Sequence, residues 1–153
     1  MHDTGYSLGF LEAEITESDA MRDAEAAVDM IRELKTLGVS ISIDDFGTGY
    51  SSLSYLKRFD ADVLKIDQSF VRDIPDQKDD ATIVASIITL AHSLGMRVVA
   101  EGIEHEGQLR FLIDAGCDIG QGYLLSPPLE SGDVTHFIRH FDGQDYRAFL
   151  SAA

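Results

Sequence analysis

Ile41-Ser42-Ile43-Asp44-Asp45-Phe46-Gly47-Thr48-Gly49-Tyr50-Ser51-Ser52-Leu53 runs a β-branched segment into two adjacent carboxylates, then a glycine-punctuated loop, then a helix start. Two neighbouring anions at a strand end repel each other unless a cation lies between them. One Asp suffices as a turn residue or helix cap. The doubled carboxylate therefore points to a divalent-metal site.

The same strand-to-helix alternation continues on both sides. Strands are expected at residues 10–15, 39–43, 62–66, 97–100 and 119–124. Helices are expected at 21–37, 52–59, 80–94, 106–115 and 131–141, with Asp19 capping the first. Gly38, Gly95 and Gly116 each stand just past a helix and before a strand, where the chain turns left-handed. Such alternation implies βα units and a parallel sheet. The unit length is close to the roughly 30 residues of a barrel in which about 250 residues are shared by eight units.

Side-chain parity places the charges. Alternate strand residues face opposite sides. Leu11, Ala13 and Ile15; Val39, Ile41 and Ile43; Leu64 and Ile66; and Val98 and Ala100 form the apolar sets that belong under the helices. Glu14, Asp44, Lys65 and Glu101 fall on the other side, each near the C-terminal end of its strand. In a parallel sheet those ends meet at one edge, where ligands bind. An open doubly wound sheet is covered by helices on both faces and wants strands apolar on both. The polar inner faces favour a barrel.

Composition bounds the rest. With 153 residues, 44% of them hydrophobic, the chain can form one domain with a real core. It has no run of about 18 apolar residues, so no membrane span is expected. The start, Met1-His2-Asp3-Thr4-Gly5, lacks the basic and apolar regions of a secretory signal. A single cysteine, Cys117, fits a reducing cytoplasm. The formal charge of −15, from 12 basic against 27 acidic residues, argues against a general DNA-backbone binder. Such a protein can hold an anionic ligand if metal ions sit between the two.

Five motifs then occur in order: Glu14-Ile15-Thr16-Glu17, the stretch from Asp44 to Leu53, Leu64-Lys65-Ile66-Asp67, Ala100-Glu101-Gly102-Ile103-Glu104 and Gln121-Gly122-Tyr123. Together they closely resemble the second half of an EAL domain, the bacterial cyclic-di-GMP phosphodiesterase. The likeness runs from about Leu11 to Leu129. It implies an α/β, TIM-like barrel, incomplete here, with the last five of eight βα units. Residues 1–142 would be the C-terminal portion of the domain and 143–153 a tail.

The resemblance further implies hydrolysis of one phosphodiester of cyclic-di-GMP to linear pGpG, with two Mg²⁺ or Mn²⁺ ions at the rim. By position, Glu14 looks like a ligand of the first ion, Asp44 the bridging ligand and Asp45 a ligand of the second. Glu101 looks like a ligand of the second ion that also helps take the proton from water. Lys65 would hold that water or a phosphate oxygen. Gln121 would touch the water or the substrate end. Glu17 would anchor the loop of Gly47 and Gly49, which in this family couples the metal site to a dimer contact, and Glu104 would support the rim. Asp67 is open between the cation network and a cap at Gln68-Ser69.

The chemistry agrees with the residue types. Hard oxygen ligands suit Mg²⁺ or Mn²⁺, whereas zinc more often uses His or Cys. A lysine is a compact point charge suited to an oxyanion or water. Glycines allow loop backbone angles that other residues avoid.

The family's Glu-Ala-Leu segment, a strand bearing an Asn ligand and an Arg that helps hold the substrate phosphate do not occur in these 153 residues. The resemblance therefore implies a chain that is weak or inactive in isolation. Five strands leave open sheet edges, with three explanations: a piece of a longer protein, a sheet completed by a second copy or another chain, or a degenerate module that no longer turns over substrate. Ser126 before Pro127 is a minor departure from the family pattern. A non-catalytic module of the same fold, binding cyclic-di-GMP or a protein partner, is the alternative. An unrelated TIM-barrel metal hydrolase is disfavoured by the ordered motifs.

Other signals read as packing or surface chemistry. His136 and His140 share a helix face without the His-Glu-x-x-His pattern of a zinc site. His92 reads as a packed or hydrogen-bonded core residue, His105 as a rim-loop residue and Cys117 as a small buried hydrophobe. Phe46, Tyr50 and Tyr123 read as packing beneath the loop, with stacking on guanine as the alternative.

Overall fold

The computed structural model describes residues 7–49 and 53–140. Tyr50, Ser51, Ser52, Phe141 and the expected tail at 143–153 lie outside the described residues. Five strands form one parallel sheet in the order β1-β2-β3-β4-β5. They are β1 (Glu12–Thr16), β2 (Ser40–Phe46), β3 (Val63–Ile66), β4 (Arg97–Ala100) and β5 (Ile119–Gly120). Between and after them come α1 (Glu17–Arg22), α2 (Ala24–Thr36), α3 (Leu53–Phe59), α4 (Gln68–Val71), α5 (Lys78–Ser93), α6 (Glu106–Asp114) and α7 (Ser131–His140). The result is an incomplete α/β barrel.

Most of the apolar parity set builds the core; Ala13, Ile15 and Val39 are only partly buried, and Leu11 is exposed outside β1, because the chain at Leu8–Phe10 forms a 3-10 turn instead of the expected strand start. Ile41, Ile43, Leu64, Ile66, Val98 and Ala100 are buried and cluster with Ile31, Leu56, Phe59, Val84, Ile88 and Leu112 from the helices. Gly38, Gly95 and Gly116 take φ of +85°, +81° and +82°. Nothing lies within 4 Å of a Cβ placed at any of them, so backbone conformation alone selects glycine there.

Two aspartates tie the N-terminal ends of neighbouring strands together. Asp62, just before β3, accepts the Ile41 N–H at 2.9 Å. Asp118, just before β5, accepts the Val98 N–H at 2.7 Å. Asp62 also holds Lys35 Nζ at 2.9 Å, and Asp118 holds His92 Nε2 at 2.8 Å. Backbone donors that the ladder leaves open at the strand starts thus find carboxylate partners.

Several expectations are corrected. The helix expected at 21–37 is two, α1 and α2, broken at Asp23 with φ −141° and ψ 81°. Asp19 is not a cap. Thr16 caps α1 by accepting the Asp19 N–H, and Asp23 caps α2 by accepting the Ala26 N–H. Helix α1 begins directly where β1 ends, so the capping position falls on the last strand residue, and Asp19 pairs with Arg22 instead. Strand β5 stops at Gly120: the Gln121 N–H still bonds to Ala100 at the end of β4, but beyond it the Gln121 carbonyl and the Leu124 N–H both bond to Ile103 in the loop. His92 is hydrogen-bonded but exposed, since the C-terminal turn of α5 brings it to Asp118 at the sheet end. Cys117 is half-buried, with Sγ 3.4 Å from the Ile119 carbonyl oxygen. Among the described residues no helix is long and apolar enough to cross a membrane.

Candidate functional site

At the opposite, C-terminal rim, four side chains from separate segments meet. Lys65 Nζ lies 3.1 Å from Glu14 Oε1, 3.1 Å from Asp44 Oδ1 and 2.8 Å from Glu101 Oε1. Glu14 comes from β1, Asp44 from β2 and Lys65 from β3, while Glu101 directly follows β4. Lys65 and the flanking Ile66 are buried, Asp44 and Glu101 are partly covered, and Glu14 is half-exposed. Burial alone would push the Lys65 ammonium down. Its contacts with Glu101, Asp44 and Glu14 outweigh that and hold its pKa above the ordinary lysine value.

The doubled aspartate works through a break in the strand. In a regular strand Asp44 and Asp45 would point to opposite faces. Here the β2–β3 register shifts between Ile43 and Phe46, and Asp45 takes φ +54°. A bulge of this kind re-aims side chains at a sheet rim. The Asp45 N–H bonds to Asp44 Oδ1 at 3.0 Å. Burial, then Asp44 and Asp67 nearby, raise the Asp45 pKa against the opposing pull of Lys65. Asp67 Oδ1 accepts the Ser69 N–H at 2.9 Å and so caps α4, while remaining within the field of Asp45.

Glu17 is fully buried and accepts the Gly47 N–H at 2.8 Å. Gly47 has φ +102°, and a Cβ there would lie 2.7 Å from the Phe70 ring. Gly49 is not in the left-handed region; its Cβ would touch the Glu17 carboxylate at 3.4 Å, so close approach constrains it instead. On the far side, Glu104 is exposed, and Gln121 bonds through its backbone to Ala100 and Ile103 while its side chain faces solvent. A Cβ on Gly122 would fall 2.2 Å from the Ile103 backbone, so the Gln121-Gly122-Tyr123 segment lies directly on the loop that carries Glu101. That contact turns Tyr123 outward, 67% exposed, against the expectation of packing, whereas Phe46 is buried. Tyr50 lies outside the described residues. His105 is exposed on the rim loop, and His136 and His140 stack on the exposed α7.

One residue not singled out from the sequence is Gln108 on α6, 2% exposed. Its Oε1 accepts the N–H groups of Glu104 and His105 at 2.8 and 2.9 Å, and its Nε2 donates to the carbonyls of Val71 and Arg72 at 3.2 and 2.9 Å. A glutamine three residues beyond a helix start is the only sequence signal for it.

The donor set suits a hard divalent cation in its chemistry: three carboxylates from separate segments surround one positive charge, the Lys65 ammonium. Their spacing is that of the ammonium they hold. Among the described residues no three His, Cys, Asp or Glu side chains are arranged as a ready-made ion cage.

Comparison with known proteins shows the family. The EAL domain family profile matches residues 3–128. The chain is 45% identical over 141 residues to the cyclic di-GMP phosphodiesterase NbdA of Pseudomonas aeruginosa, covering 92% of this chain and 18% of that protein. It superposes with a TM-score of 0.81 and 48% identity on the PaMucR phosphodiesterase solved with c-di-GMP, covering 84% of this chain and 52% of that one. Klebsiella pneumoniae BlrP1, solved with manganese and cy-diGMP, matches with a TM-score of 0.76 and 36% identity, covering 81% of this chain and 32% of that one. The chain thus spans less than a fifth of NbdA and about half of the solved PaMucR chain.

Proposed function

The chain belongs to the EAL domain family, and from that premise we propose that it is the C-terminal portion, residues 1–142, of a cyclic-di-GMP phosphodiesterase domain that forms pGpG, with 143–153 as a tail. The observation that carries the reading is the convergence of Glu14, Asp44 and Glu101 on the Lys65 ammonium. Glu14, Asp44, Asp45 and Glu101 would hold two Mg²⁺ or Mn²⁺ ions. Such ions supply an acidified water and neutralise the attacking and leaving oxygens of an anionic phosphodiester. Lys65 is placed to hold the water or a phosphate oxygen as a point charge, and Glu101 to accept a proton. Asp67 and Gln121 border the substrate end. Glu17 fixes the Gly47 loop, with Gly49 against it, and Glu104 sits on the loop behind Glu101.

The family's remaining ligands fall on strands that these residues do not include, so the 153-residue chain alone is weak or inactive. Incubating it with Mn²⁺ and cyclic-di-GMP tests this: bound ligand with little pGpG is expected, and turnover at the rate of an intact EAL domain overturns the inactivity. Phe10 and Leu11, 83% and 39% exposed just before the edge strand β1, favour self-association at that edge. Light scattering should show mass rising with concentration, and a monomer throughout counts against it.

A second reading, a module that binds cyclic-di-GMP or a protein partner without hydrolysis, is favoured by Lys65 already occupying the space between Glu14, Asp44 and Glu101. Ligand binding that is unchanged by EDTA would select it.

A further inference from the structure

The one-turn helix α4 touches both rim loops. Its first residue, Gln68, fills the space where a Cβ of Gly102 (φ +73°) would sit, 2.6 Å from the Gln68 Cβ. Its third, Phe70, fills the corresponding space at Gly47, 2.7 Å away. Its C-terminal carbonyls, on Val71 and Arg72, are both taken by Gln108 Nε2. The other end of that amide holds Glu104 and His105. A helix cap for α6 needs only the His105 N–H. The two donations to residues 36 and 37 positions away serve no requirement of α6. They close a ring: Glu101 loop, Gln108, α4, and back through Gly102 on Gln68. Asp67, which caps α4, and Gly47, which bears on Phe70, join the same unit.

We infer that Gln108 is a positioning residue, and that through it α4 locks the loop of Glu101 to the loop of Gly47 as a single mechanical unit. Four satisfied hydrogen bonds on a buried amide leave it one orientation, because any rotation strands a polar group away from water. The consequence for the cation ligands rests on the functional reading above; the mechanical coupling does not.

Amide exchange of the full chain by NMR tests it. In Gln108→Leu, the Glu104 and His105 amides should exchange about tenfold faster and the Gly47 amide about threefold faster, with Leu64 and Val98 in the core unchanged. Phe70→Leu approaches from the other side: it should speed Gly47 and also Glu104 and His105 on the other loop. Loosening confined to the loop next to each substitution overturns the coupling, and so does uniform loss across the core in both variants. Mn²⁺ affinity should fall about fivefold in Gln108→Leu. A wild-type chain that binds no Mn²⁺ would remove the ligand reading of Glu101 and leave the exchange results to decide the coupling.

Discussion

Two lysines stand at opposite ends of the same sheet, and their surroundings differ in one respect. Lys35, at the N-terminal end, meets Asp62 Oδ1 at 2.9 Å and the Asp60 carbonyl at 2.6 Å, while the other Asp62 oxygen holds the Ile41 N–H. The second carboxylate there, Asp60, is exposed and stands farther off, with Oδ2 3.6 Å from the ammonium, so no anions are crowded together. Lys65, at the C-terminal rim, faces Glu14, Asp44 and Glu101, with Asp45 and Asp67 close behind. One ammonium cannot neutralise that many carboxylates. A balanced cluster latches strands, whereas a surplus of anions stores repulsion that further cations would relieve. The comparison separates a structural ion pair from a candidate site without reference to any relative.

Substitutions at each end break or sharpen that contrast. The largest effect is expected at Asp44→Asn, which should lower Mn²⁺ affinity, and hydrolysis in the whole protein, about a hundredfold or more. Melting temperature should hold or rise, because a repulsive charge is removed. Titration calorimetry with thermal melts checks both, and near-normal binding would end the ligand assignment.

Lys65→Met comes next. It leaves Glu14, Asp44 and Glu101 facing one another, and metal-free stability at pH 7 should fall by about 2–3 kcal/mol, tempered by the half-exposed Glu14. Urea unfolding in EDTA reads this. Added Mn²⁺ should return most of the loss, and no return would speak for the non-catalytic module.

Asp62→Ala should cost about 1–2 kcal/mol, because it strands the Ile41 N–H and leaves the Lys35 ammonium with Asp60 alone. Mn²⁺ should return none of it, which is the contrast with the rim.

The smallest effect is on pH. At the latch end Asp62 and Asp118 are lowered. Burial opposes this, but Lys35 and the Ile41 N–H on one, and His92 and the Val98 N–H on the other, prevail. Their contribution is intact above the ordinary Asp value near 3.8 and is lost as pH falls through the depressed folded values. Asp45 is raised, so folding binds a proton at the rim, and stability gains as pH falls through its folded value toward 3.8. Melting temperature against pH should thus rise slightly on mild acidification before it drops. Asp45→Asn should remove the rise and keep the drop; an unchanged rise in that variant would show that it comes from another group.

Much of the rim was legible in sequence. Glu14, Asp44 and Lys65 were placed on one face by parity alone, and Glu101 by the strand it follows. The glycines after α2, α5 and α6 marked where the chain turns back, since only their backbone angle matters. Other features had no local signal. Helix α4 is too short to show a period, so its contacts with Gly47 and Gly102 were invisible. Gln108 looked like any polar residue on an amphipathic helix. Asp62 was expected only as the start of a strand and Asp118 was not singled out, because their partners lie 21 and 20 positions away. Tyr123 was expected to pack and does not, for a reason set by the neighbouring Gly122.

The amino-acid sequence by itself determined the alternation of strands and helices and the inward parity of the acids. Both follow from periodicity and backbone propensity within a few residues. Only the tertiary structure decided that Glu14, Asp44 and Glu101 share one ammonium, that a bulge turns Asp45 to the same rim, and that Gln108 ties two distant segments. Those distances depend on strand register and on contacts between residues far apart in the chain, which no local pattern encodes.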